Sequence, residues 1–328
     1  MNPTTTPSFP ARSHLTICFA HVAYQMQEIF TQRDTGIRHF ETRTTDQTKA
    51  RMAEVDVLTI STLWSDELLD HGPKLRFIQS IGAGYDQFPT EQLKQRGIRL
   101  ASAGGANVNA VGEHVFALTL GLFRKIHNAR DHQHRRFFRP TIANIADRED
   151  ELAGKTLGVI GLGRIGSKVA RLGKAFDMRV VATKRDPTTT NALADIVLPA
   201  NRLDDLLSAA DVVVICCPLT PQTRGLLNAD SLAKMKQGAV LINVARGACV
   251  DETALAECLL NGKLAGAGLD CFASEPLAAH SPLWTMDQVI ITPHTAGETR
   301  VYESNVIDIL LENIVRLERG DKVLLNEV

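Results

Sequence analysis

Three stretches of this chain carry side chains that could work together on a small acid. "NVARGACVDE", "GLDCFASEPL" and "ITPHTAGET" supply Arg246, Glu275 and His294, with Asp270 beside them. Each stretch begins where a run of apolar, largely β-branched residues ends, and in open α/β sheets the carboxyl ends of the strands are where ligands bind. A histidine exchanges protons near neutral pH, a carboxylate beside one fixes its tautomer and favours the charged ring, and an arginine can grip a carboxylate through two parallel hydrogen bonds. Taken singly, each residue reads more readily as a surface ion pair or a solvated loop. The constellation gains weight only if a reaction partner is bound nearby.

"GVIGLGRIG" points to that partner. Gly161, Gly163 and Gly166 form G-x-G-x-x-G after a buried strand and at the head of a helix. The first glycine permits a tight turn, the second lets backbone approach a pyrophosphate, and the third lets helix pack close to strand, while the helix N-terminus faces the anion with free N–H groups. Strand, motif, helix and next strand at this spacing separate a dinucleotide site from a plain glycine-rich turn. With the three strand ends it fits hydride chemistry on a 2-oxo acid. The next strand ends in "MRVVATKRDP", with Lys184 and Arg185 side by side. NAD-selective folds carry an acid about 20 residues beyond the glycine loop, where it binds the ribose hydroxyls and repels a 2′-phosphate. Cations at this place predict NADP, with NAD as the alternative. Asp186 could serve the ribose if the turn is longer, and two solvated cations on a surface turn are the plainer explanation.

Positioning these residues takes alternating strands and helices, and the chain supplies them. From Thr156 onward the order is "TLGVI" as strand, "GSKVARLGKAF" as helix, "MRVVAT" as strand, "LDDLLSAA" as helix and "DVVVICC" as strand; "AVLINVA", "LAGAGLD" and "QVIITP" follow as strands. Such apolar runs imply strands buried on both faces of a parallel sheet. A looser alternation in residues 15 to 104 offers "LTICFA", "VDVLTIS", "LRFIQSIG" and "IRLASAG" as strands. Val111, Val115, Leu118 and Leu122 mark one face of a helix that could join two domains. Residues 127–151 are charged and aperiodic, and read as a surface excursion. The 328 residues, 44% hydrophobic, suffice for two domains. A formal net charge of −1 gives no global field to recruit nucleic acid or an anionic membrane. The amino-terminal residues lack the pattern of a signal peptide and no stretch reaches membrane-span length, so the expectation is a cytoplasmic protein. Six cysteines show no paired metal-ligand spacing, and Cys216 and Cys217 lie in an apolar run, which reads as buried reduced thiols and no metal.

From about residue 50 onward the chain resembles the D-isomer-specific 2-hydroxyacid dehydrogenases. "SIGAGYDQF" is similar to the family's substrate loop, "GGANVNAVGEHVFALTLGLFR" to its interdomain helix and "LGVIGLGRIG" to its cofactor loop; "CCPLTPQTRGLLN", "LINVARGACVDETAL", "GLDCFASEPL" and "SPLWTMDQVIITPHTAG" match in order and spacing. The resemblance implies an α/β fold of two Rossmann-like domains with parallel sheets. A dinucleotide-binding domain, residues 111–298, would be inserted into a split substrate domain, residues 1–110 and 299–328. It implies His294 as acid/base, Glu275 orienting it, and Arg246 holding the substrate carboxylate with the N–H groups of Ala83 and Gly84, while Asn107 lies beside the site. The cofactor residues it implies are Gly161, Gly163, Arg164, Ile165, Gly166, Lys184, Arg185, Cys217, Pro218, Thr223, Val244, Ala245, Asp270, His294, Ala296 and Gly297. A homodimer through the cofactor domain is the family expectation. "RRFFRPT" stands where many relatives carry a tryptophan-containing "GxW". The 34 residues after His294 fit a returning helix rather than a regulatory domain, which favours a small 2-oxo acid of the glyoxylate, hydroxypyruvate or pyruvate class over a phosphorylated one. A dinucleotide-sensing corepressor-like protein, or an enzyme of formate or phosphite, are the alternatives.

Overall fold

The computed structural model describes residues 9–187 and 193–328. The chain forms two compact units: the described part of Met1–Asn107 with Thr299–Val328, and Val108–Glu298. In the first, β1 (Thr16–Ala20), β2 (Arg38–Thr42), β3 (Val57–Ile60), β4 (Phe77–Ser80) and β5 (Arg99–Ala101) lie parallel in the order β2-β1-β3-β4-β5. Strands β1, β3 and β4 are buried at every residue, as continuous apolar runs require. The edge strand β2 buries only Phe40 and Thr42, and its "RHFET" carries too little apolar signal to be read as a strand from sequence. A terminal helix, Tyr302–Arg319, closes this unit by burying Val306, Ile307, Leu310, Ile314 and Leu317 against Ile17, Phe19, Phe30 and Phe77.

Among the described residues the second unit carries seven parallel strands: β6 (Thr156–Ile160), β7 (Arg179–Lys184), β8 (Ile196–Pro199), β9 (Val212–Ile215), β10 (Ala239–Asn243), β11 (Leu264–Leu269) and β12 (Val289–Ile291). Their order is β12-β11-β10-β9-β6-β7-β8. The chain builds outward from β6 through β7 to β8, then returns to start again at β9 on the other side of β6. Strand order therefore reverses between β6 and β9, and the loops leaving their carboxyl ends lie where open α/β sheets bind ligands.

The helix Val108–Phe123 buries Val111, Val115, Leu118 and Leu122, the face expected from their spacing. It is seated closely on two strands: a Cβ on Gly121 would lie 2.8 Å from Ile290, and one on Gly268 would lie 2.9 Å from Leu118. The segment 127–151, expected to be irregular, begins inside a helix, Ile126–His134, that buries no residue. A helix with no apolar face leaves no periodic signal, which is why it escaped sequence reading. Phe138, just beyond it, is 97% exposed. The short edge strand β8 likewise went unread, being only partly buried. Among the described residues no helix is long and apolar enough to cross a membrane, and no cluster of His, Cys, Asp or Glu is arranged to hold a metal ion.

Candidate active site

The glycine loop runs from β6 into the helix Arg164–Ala175. Gly161 sits at φ +97°, and a Cβ there would come within 2.9 Å of the Cys217 backbone, so glycine lets the loops after β6 and β9 meet at the switch point. A Cβ on Gly166 would lie 2.2 Å from the Gly161 carbonyl oxygen, which any other residue would displace. Gly163 is the opposite case: among the described residues nothing lies within 4 Å of where its Cβ would be. Among the described residues no side chain caps Gly163 at the N-terminus of this helix, an end that fits the pyrophosphate of a dinucleotide. Arg164 and Ile165 begin that helix. The Thr183 carbonyl accepts from the N–H groups of Gly161, at 3.2 Å, and Leu162, at 2.9 Å, so Lys184 leaves β7 beside the glycine loop, followed by exposed Arg185 and Asp186.

After β9, Pro218 and Thr223 form one turn: Thr223 Oγ1 donates to the Pro218 carbonyl at 2.7 Å. After β10, the Asn243 side chain shapes the next loop, accepting from Ala245 N–H at 3.1 Å and donating to the Arg246 carbonyl at 3.0 Å. Val244 and Ala245 are partly exposed there. Gly247 is pressed against the loop after β11, since a Cβ would fall 1.8 Å from the Phe272 carbonyl carbon. Loops carrying Arg246 and Glu275 are thereby packed on one another without room for a side chain between them.

His294 Nδ1 lies 2.8 Å from Glu275 Oε2, and Glu275 Oε1 accepts from Phe272 N–H at 2.9 Å. The carboxylate is thus tied to its own loop on one side and to the imidazole on the other. His294 adopts φ +56°, a left-handed backbone that costs a non-glycine residue roughly 1–2 kcal/mol. Its loop is held by Asp270, which is 1% exposed: Oδ1 accepts from Thr292 Oγ1 at 2.6 Å and Thr295 N–H at 2.9 Å, and Oδ2 accepts from Ala296 N–H at 3.0 Å. Gly297 follows, partly exposed.

Ala83, Gly84 and Asn107 belong to the other unit. Ser80, buried at the end of β4, donates toward the carbonyls of Gly82 and Gly84, both at 3.1 Å. Because a peptide plane is trans, a carbonyl turned inward turns the following N–H outward, so Ala83 N–H faces away from Ser80. Asn107 Oδ1 is buried without a hydrogen-bond partner among the described residues.

Sequence reading missed several participants. Thr292 and Ser80 stand inside quoted motifs, but nothing in a hydroxyl's spacing says which carboxylate or carbonyl it will meet. All six cysteines are free thiols, yet Cys217 and Cys249 share a hydrogen bond. That bond, with burial, pushes the Cys217 thiol up. The same bond draws Cys249 below the usual thiol range against its burial, and the Arg246 guanidinium adds to the effect.

Residues 116–296 match the family model described as "D-isomer specific 2-hydroxyacid dehydrogenase, NAD binding domain". The chain belongs to this family. A D-3-phosphoglycerate dehydrogenase of Archaeoglobus fulgidus is 38% identical over 269 residues, 81% of this chain and 50% of that protein. The chain thus spans about half the length of the curated phosphoglycerate dehydrogenases it matches. A glyoxylate reductase of Pyrococcus furiosus is 33% identical over 280 residues, 83% of this chain and 82% of that one. Among solved structures, an NADPH-dependent glyoxylate/hydroxypyruvate reductase from Sinorhizobium meliloti, in complex with NADP and malonate, superposes with a TM-score of 0.80 at 26% identity, covering 96% of this chain and 97% of that one. The α/β class with parallel Rossmann-like sheets and the presence of an NAD-binding domain follow from family and fold together.

Proposed function

We propose that this D-isomer-specific 2-hydroxyacid dehydrogenase family member reduces a small 2-oxo acid of the glyoxylate, hydroxypyruvate or pyruvate class to the D-2-hydroxy acid, using NADPH in preference to NADH. The observation that carries the reading is the 2.8 Å pairing of His294 with Glu275 on the strand-end edge shared by the glycine loop and Arg246. Gly161, Gly163 and Gly166 would hold the dinucleotide, and Lys184 and Arg185 its 2′-phosphate. When bound, the nicotinamide supplies hydride to the carbonyl carbon. With Nδ1 committed to Glu275, His294 holds at Nε2 the proton that the carbonyl oxygen takes up. The Arg246 guanidinium grips the carboxylate in a planar two-point contact and draws charge toward the carbonyl. Placement and electrostatics are the protein's share of the reaction. The homodimer through the cofactor-binding unit follows from the same family reading.

Turnover of glyoxylate, hydroxypyruvate, pyruvate, formate and phosphite with each cofactor tests it. One of the three 2-oxo acids should give the highest kcat/KM, and His294→Asn should lower kcat about 10²- to 10⁴-fold while NADPH still binds. NADPH binding without turnover on any of them would instead indicate a dinucleotide-sensing protein, and a His294→Asn variant with near-normal kcat would remove the histidine from the mechanism.

A further inference from the structure

We infer that His114, on the helix Val108–Phe123, is a positioning residue for His294 and acts through Thr292 and Asp270; the inference rests on the reading of His294 as proton donor. Thr292 has a single hydroxyl proton, and at 2.6 Å it is given to Asp270 Oδ1, an oxygen that also accepts from Thr295 N–H. The Thr292 oxygen is left as an acceptor, and His114 Nε2 stands 3.0 Å away. His114 therefore carries its hydrogen on Nε2 and donates it to Thr292. The result is a directed chain from imidazole to hydroxyl to carboxylate, with His114 Nε2 itself 3.6 Å from Asp270 Oδ1.

The far end of that chain is the loop bearing His294. A buried carboxylate needs donors, and the hydrogen bonds to Asp270 from Thr292, Thr295 and Ala296 all come from the five residues centred on His294. Those bonds hold a loop whose histidine sits at φ +56°, a conformation that persists only where its surroundings impose it. The near end is firm. His114 shares a stripe with Leu118 and Gly121, four and seven residues on, and those two residues seat the helix against Gly268 of β11 and Ile290 of β12. His114 thus ties the loop to a helix fixed on the sheet, whereas Asp270 alone ties it only to the strand end next door.

The test compares His114→Gln, whose side-chain amide can offer an N–H near the place of Nε2, with His114→Leu, which offers none. His114→Leu should lower kcat on the best 2-oxo acid about tenfold or more, since a small misplacement of a reacting group is costly. The Kd for NADPH should stay within about twofold, and His114→Gln should recover most of the rate. His114→Leu combined with Thr292→Val should lose no more than the worse single variant. An unchanged kcat in His114→Leu, a loss that His114→Gln does not recover, or additive losses would overturn the assignment. Nitrogen-15 spectra of the histidine rings keep the question separate from turnover: the His294 ring should give one set of signals in the parent protein and in His114→Gln, and broadened or doubled signals in His114→Leu. Identical sharp His294 signals in all three proteins would overturn the inference even if the parent proved inactive, and should His114→Leu fail to fold, Thr292→Val against Thr292→Ser is read by the same criteria.

Discussion

Arg246 leaves β10 with its backbone pinned by Asn243 and its neighbour Gly247 wedged against Phe272, so its side chain starts from a fixed base. Replacing it with lysine keeps the charge but removes the planar fork. Losing one charge-assisted hydrogen bond, worth roughly 1.5–3 kcal/mol, should lower kcat/KM for the 2-oxo acid about ten- to hundredfold. Steady-state kinetics of Arg246→Lys at saturating cofactor measure this, and an unchanged kcat/KM would take Arg246 out of carboxylate binding. Lys184 and Arg185 present a second question at the same scale. Replacing them with Asp and Ala should raise the KM for NADPH far more than that for NADH, because only the former carries the 2′-phosphate. A cofactor ratio that does not move in the double variant, or a parent enzyme faster on NADH, would return these cations to being a surface pair.

At the scale of elements, the carboxyl-terminal tail is pinned to the edge of the first sheet. Arg99 on β5 donates from Nε to Glu327 Oε1 at 2.6 Å and from a terminal nitrogen to Oε2 at 2.7 Å, and Ala101 bridges to Glu327 in antiparallel fashion. Burial works to raise the Glu327 pKa, but the Arg99 hydrogen bonds and the Leu324 N–H together bring it below its ordinary value. A carboxylate whose folded pKa lies below its unfolded one contributes stability that is fully present above the unfolded value. That contribution disappears as pH falls through the folded value. Denaturation of the parent and of Glu327→Gln should therefore differ at neutral pH and converge below about pH 4. A gap that stays constant through the carboxylate range would show that Glu327 contributes through packing and not through its charge. The same tail is fastened from the other side by Asn313, buried in the terminal helix, which exchanges hydrogen bonds with Leu325 and reaches Gln79 on β4. Helix, tail and sheet therefore act as one element in this unit.

For the whole molecule, ligand linkage gives the simplest measurement. A dinucleotide that binds only the folded Val108–Glu298 unit should stabilise it by about 2.7 kcal/mol at a hundredfold excess over its Kd, enough to raise Tm by several degrees. NADPH should produce a larger shift than NADH at equal concentration. Equal shifts, or none, would contradict the proposed preference or the dinucleotide site itself.

Much of the glycine loop was already written in the sequence, because its turn from strand into helix is a local demand. Gly161 turns the chain and Gly166 approaches the Gly161 carbonyl within six residues, whereas the contact of Gly161 with the Cys217 backbone belongs to the tertiary structure. The parallel sheets were legible too, since strands such as "VVVI" and "AVLIN" must be apolar on both faces. The edge strands β2 and β8 and the solvated helix Ile126–His134 were not, because burial is what imprints periodicity and these elements are buried little. Sequence also nominated Arg246, Glu275 and His294 together as one group at neighbouring strand ends, with Glu275 beside His294. That Asp270 turns its carboxylate on the loop around His294, and that His114 reaches the same loop across a gap of 178 positions to Thr292, were decided only by the tertiary structure. Strand order brings β11 and β12 together and lays the helix Val108–Phe123 across them, and hydrogen bonds depend on separations of a few tenths of an ångström that no spacing along the chain encodes.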